Sequence, residues 1–180
     1  LEFRRVLFRS FRKAFETAAI AYAADHYANG ATTVYGAQEN GQYVIRVCIS
    51  SALFNAKNFW GGRWRSVWTA TFNPGSGNCQ INGNIKIQVH YFEDGNVQLN
   101  TDTNKSKSIP VADAAALASK FFNVIEGLET DFQNALQDNY AQMSGKTFKA
   151  LRRQLPLNRQ LIAWEKVLIG QYSIGSALGK

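Results

Sequence analysis

Between residues 63 and 93 apolar and polar side chains trade places almost one for one, a period of two that demands extended strands with one face covered. In RWRSVWTATF, Trp64, Ser66, Trp68, Ala70 and Phe72 share one parity, while Arg63, Arg65, Val67, Thr69 and Thr71 share the other. NIKIQVHYFE repeats the alternation, with Ile85, Ile87, Val89 and Tyr91 set against Lys86, Gln88, His90 and Phe92. PGSGN between them has the composition of a turn, and Asp94-Gly95-Asn96 turns the chain into a short last strand, VQLN. Upstream, ATTVYGAQ and YVIRVCIS flank the turn-like ENGQ and predict a hairpin, followed by a loop over SALFNAKNFWGG. The expectation is α+β: a five-stranded antiparallel meander sheet. TDTNKSKSIP after it reads as a polar loop.

Helical periodicity brackets the sheet. Residues 11–28 place Phe11, Phe15, Ala18, Ala19 and Tyr22 at spacings of three and four, and Asn29-Gly30 is a stop signal. From Val111 a proline-free run of about thirty residues carries one apolar stripe through Leu117, Phe121, Ile125, Leu128, Phe132 and Leu136. Laid across one face of the sheet, this helix completes a two-layer core. Such a sheet leaves two edges, and at least one of them is expected to pair with a partner. Pro156 breaks the last segment, and beyond it Leu161, Trp164, Leu168 and Tyr172 form a second, shorter stripe. The organisation read from these patterns is a non-native leader over 1–10, a core over 11–143 and a basic amphipathic C-terminal arm over 144–180. The leader reading rests on Leu-Glu and Glu-Phe, which are what translated restriction sites encode.

Charge is polarised along the chain. Overall it is +7, but from Gly145 to Lys180 seven cations face only Glu165, a net of +6. Val111 to Gln142 holds five carboxylates against Lys120, a net of −4. KTFKALRRQLPLNRQL, residues 146–161, concentrates Lys146, Lys149, Arg152, Arg153 and Arg159. On charge alone such a segment suits nucleic acid, an anionic membrane surface or an acidic protein. The sheet aromatics lack an RNA-binding signature, and the apolar stripe behind the cations is small for a membrane-surface helix. No apolar run approaches the ~20 residues needed to span a bilayer.

Catalytic signals are missing where they would be expected. His26 and His90 have no ligand partners at metal spacing, GSGNCQ lacks the third glycine of a dinucleotide loop and feeds a strand, and neither a nucleophile elbow nor a phosphate loop occurs. The carboxylates of the long helix read as a solvated face. Cys48 and Cys79 read as two buried thiols of a reducing cytosol. These readings predict a binding protein without enzyme activity, metal or cofactor.

Three stretches then carry a resemblance. NFWGGRWRSVW at 58–68, KIQVHYFEDGNVQL at 86–99 and TFKALRRQLPLNR at 147–159, in this order and spacing, closely resemble the alpha subunit of F-actin-capping protein (CapZ), as does DHYANGATTVY at 25–35. The similarity covers that family's C-terminal two-thirds. It implies an obligate heterodimer with a beta subunit, the strands of both chains joining into one sheet with a long helix of each above it. It implies a cytoplasmic, cytoskeletal protein that binds filament barbed ends, calcium-independently, and blocks subunit exchange. The family's actin-binding arm maps onto Lys149, Arg153 and Arg159, with Leu161, Trp164 and Leu168 as its apolar contact. Lys149 and Arg153 stand four apart on one helical face, and Arg159 follows the proline turn. The alternative reading is a basic binding module for nucleic acid or an anionic membrane surface.

Overall fold

The computed structural model describes residues 2–27, 29–93 and 97–142. Helix α1 (Glu2–His26) leads into five strands, β1 (Ala31–Glu39), β2 (Gln42–Asn55), β3 (Trp60–Asn73), β4 (Ser76–Tyr91) and β5 (Val97–Pro110), and helix α2 (Ala114–Gln142) closes the described chain. Each strand pairs antiparallel with its sequence neighbour, giving the order β1-β2-β3-β4-β5. The α+β meander expected from the alternation is the fold observed. Its connections follow local chemistry. Asn40 and Gly41 both take positive φ, 51° and 81°, the two left-handed residues that a two-residue hairpin turn requires.

The two helices share one face of the sheet. Phe11, Phe15, Ala19 and Tyr22 of α1 are buried, as are Leu117, Phe121, Phe122 and Ile125 of α2, and both sets meet Ile45, Val47, Trp68, Phe72, Ile81 and Ile85 beneath them. Phe15 and Phe121 touch between the helices at 4.9 Å. The inward parity of Ser66, Trp68, Ala70 and Phe72 agrees with their near-zero exposure. Asp113 caps α2, its Oδ1 accepting from the Ala116 amide at 2.8 Å.

Three boundaries and one burial differ from the sequence reading. α1 starts at Glu2, and Leu7 and Phe8 pack against the core, Phe8 edge-on to Tyr43 at 5.1 Å. The loop over SALFNAKNFWGG shrinks to a 3-10 turn at Ala56–Asn58, because β2 and β3 keep pairing out to Asn55 and Trp60. TDTNKSKSIP is not a loop: it is most of β5, paired with β4 from Tyr91 to Asn78. It reads as polar because it is an edge strand whose outward positions bond sideways, Asn84 to Asn104 at 2.9 Å and Gln80 to Ser106 at 2.8 Å. Its inward Lys105 lays its ammonium 6.0 Å from the Phe132 ring centroid. Finally, Cys79 is buried but Cys48 is only half-buried. Burial pushes the Cys79 thiol up to about 11.

Gly83 shows how tightly the inner face is filled. It lies directly opposite Trp68, and the indole covers the space where a side chain would stand, so an added Cβ would fall inside the ring's van der Waals surface. Gly83→Ala is therefore expected to destabilise the protein by about 2 kcal/mol or more, although alanine is ordinarily the better strand residue. Thermal denaturation of the variant checks this; an unchanged midpoint would mean that Trp68 has room to turn aside.

Candidate functional site

Glu129 stands on the apolar stripe of α2, four residues after Ile125 and three before Phe132, and only 4% of it is exposed. A carboxylate removed from water at this cost must be met by donors. Four converge on it. Oε2 accepts from the Tyr22 hydroxyl of α1 at 2.8 Å and from the Tyr27 hydroxyl just past that helix. Oε1 accepts from Trp68 Nε1 at 3.0 Å and from Ser66 Oγ at 3.2 Å, both on β3. No ion pair among the described residues includes Glu129. The charge is held by hydrogen bonds alone.

The network joins three elements through one residue. Residues 66 and 68 face inward because they share the strand's covered parity, and Tyr22 faces inward because it continues the α1 stripe. His26 extends the joint: its ring stacks on Tyr22 at 4.2 Å between centroids, and its Nε2 lies 3.5 Å from Glu126. Burial, and then the negative charge of Glu129, push both tyrosines far above the ordinary tyrosine range. They stay protonated as donors. The expectation that the helix carboxylates form a solvated face therefore fails at Glu129. The signal that could have found it is a glutamate at stripe spacing, opposite a serine and a tryptophan of inward parity.

Chemically this cluster is a fastener. Its hydroxyls are engaged in donating to the carboxylate, and among the described residues no group of three or more His, Cys, Asp or Glu could hold a metal ion. Beside it Trp64 touches Tyr27 at 5.9 Å and Phe132 at 6.3 Å. The Trp64 Nε1 is buried, with no hydrogen-bond acceptor among the described residues. The clamp fixes α2, the described helix that lies N-terminal to the basic segment in the sequence. Lys149, Arg153, Arg159, Leu161, Trp164 and Leu168, the contact residues expected from the sequence, all lie outside the described residues. The two sheet edges are β1 and β5, with α1 packed along β1 and the long β5 edge free of a sixth strand among the described residues. No helix there is long and apolar enough to cross a membrane.

Comparison with known proteins agrees with this architecture. Residues 4–177 match the family model described as F-actin capping protein alpha subunit. The F-actin-capping protein subunit alpha of Dictyostelium discoideum is 47% identical over 170 residues, covering 94% of this chain and 60% of its own length. That of Caenorhabditis elegans is 44% identical over 170 residues, covering 93% and 58%. The chain thus spans about three-fifths of the relatives it matches. A solved structure of the homodimeric actin capping protein alpha subunit from Plasmodium berghei superimposes with a TM-score of 0.65 at 24% identity, over 73% of this chain and 54% of that one, a likeness of fold.

Proposed function

The chain belongs to the family of F-actin capping protein alpha subunits, and from that premise we propose that it serves, within its full-length protein, as one half of a heterodimer that closes the barbed end of actin filaments. The beta subunit is the partner, and the long β5 edge is suited to receive its strands. Closure needs no calcium: the chemistry is docking, and it blocks both addition and loss of actin subunits. The arm over 144–180 makes the contact, with Lys149, Arg153 and Arg159 meeting acidic actin and Leu161, Trp164 and Leu168 slowing release. The role is binding rather than catalysis, and the place is the cytoplasmic actin cytoskeleton.

The observation that carries this reading is the family match, because it runs continuously through the sheet, the long helix and the basic arm. The clamp at Glu129 supports it by tying the helix that leads into the arm to both other layers of the core. Growth of labelled actin from filament seeds tests it. Full-length chain co-expressed with a beta subunit should halt barbed-end growth with calcium chelated. Seeds growing at the uncapped rate would overturn the reading, and retention of RNA or anionic vesicles at physiological salt would then favour the basic-module alternative.

A further inference from the structure

The sheet face turned away from the helices carries a cluster of cations with no bonded counter-charge. Arg65 lies directly opposite Lys86, and Arg63, one step along the same side of β3, lies opposite Gln88. Like charges opposed across a ladder weaken it. Asp102 is the register partner of Lys86 on the other side, yet no ion pair among the described residues includes Arg63, Arg65 or Lys86. Between these strands opens a cleft of about 320 Å³ lined by the three cations together with Gln88, Asn100 and Asp102. The cleft is cationic and rich in side-chain amides.

One further step along the face the character changes. Gly61 lies opposite both Phe54 and His90, and its missing side chain leaves room for the Phe54 ring. Phe54 is 69% exposed and stacks on Phe92 at 5.8 Å with the rings 9° from parallel, while Phe59 meets Phe92 edge-on. Exposed aromatic surface beside uncompensated charge is the composition of a contact surface, not of a solvated face.

We propose that this face docks an extended acidic segment of a partner protein. Its two carboxylates lie against Arg63 and the Arg65–Lys86 pair, and an aromatic or branched aliphatic side chain packs on Phe54 and Phe92. The rows from His90 to Gln88 to Lys86 are each about 7 Å apart, so an extended peptide presents its anchor and two acids at alternate positions i, i+2 and i+4. Charge complementarity selects an acidic chain, and the aromatic end distinguishes a peptide from a bare phosphate. The site is on the face opposite the Glu129 clamp and shares no residue with the arm, so it stands or falls separately from capping.

Fluorescence titration of the full-length heterodimer with a labelled Phe-Ser-Glu-Ser-Glu-Ser peptide and its Phe-Ser-Gln-Ser-Gln-Ser counterpart tests the proposal. The acidic peptide should bind about tenfold or more tightly than the neutral one; Arg65→Glu with Lys86→Glu should abolish that preference, and Phe54→Ser should weaken binding about tenfold. Lys86→Gln should lose affinity while its thermal midpoint holds or rises, because a like-charge pair is relieved. A fall in that midpoint would assign Lys86 to the fold and overturn the proposal. So would equal binding of the two peptides, no binding of either, or inorganic tripolyphosphate displacing the acidic peptide while Phe54→Ser has no effect. Capping assayed in the same variants keeps the two readings distinguishable.

Discussion

Under the proposed function, reversing Lys149, Arg153 and Arg159 together to glutamate should weaken barbed-end capping by the full-length heterodimer about a thousandfold or more. Each reversal replaces an attraction by a repulsion against an acidic surface; at about 1.5 kcal/mol apiece the three sum to roughly 4.5 kcal/mol, and every 1.4 kcal/mol is a factor of ten. The loss should divide between rates. Charge governs encounter, so the variant associates slowly and its residual association becomes less sensitive to salt. Leu161, Trp164 and Leu168 replaced by serine should leave association near the parent rate and speed dissociation instead. Arg152→Glu serves as the control, because the family's actin-binding arm maps onto Lys149, Arg153 and Arg159 and not onto Arg152, and its effect should be much smaller. Capping kinetics read by single-filament imaging separate the two rates. Undiminished capping by the triple reversal would remove the arm's cations from the contact.

The second large effect is on stability. Glu129→Ala leaves the buried Tyr22, Ser66 and Trp68 and the half-buried Tyr27 with their donors unmet, and hydrogen bonds to a charged acceptor are worth about 1.5–3 kcal/mol each, so the expected loss is about 3–5 kcal/mol after the surroundings relax. For a chain of this size that lowers the unfolding midpoint by roughly 10 °C. Glu129→Gln should recover part of the loss, since one amide oxygen still accepts from Ser66 and Trp68 while the amide nitrogen turns towards hydroxyl oxygens that can accept in their turn. Calorimetry on the heterodimer orders the three proteins. An alanine variant within about 1 kcal/mol of the parent would mean that water enters and replaces the donors.

How far the sequence spoke depended on which side of each element faced oil. β3 and β4 were legible because their covered parity is apolar and their open parity is Arg, Lys, Gln and Thr. β5 was not, because an edge strand needs few apolar residues: among its described inward positions only Ile109 is buried, and Leu99, Thr101, Thr103 and Lys105 are half-buried beside it. The turn before β3 was mistaken for a loop because Gly61 and Gly62 look like breakers, whereas Gly61 leaves space for Phe54. Glu129 was hidden by its own residue type. A glutamate on a helix is ordinarily solvated, and only its spacing from Ile125 and Phe132 says otherwise. For the arm, charge established a basic segment but could not choose its target. The choice rested on the ordered run of motifs that the family match later extended to residues 4–177.

Because strand order equals chain order, every pairing in the sheet joins neighbours in sequence, and hairpins can form one after another as the chain leaves the ribosome. The Glu129 bonds obey a different clock. Tyr22 and Glu129 are 107 residues apart, so the first helix is made long before the carboxylate that completes its hydrogen bonding exists. Until α2 emerges, two tyrosines, a serine and a tryptophan must wait beside an uncovered apolar sheet. That interval, ended by a single late residue, is when a nascent chain of this kind most needs a chaperone.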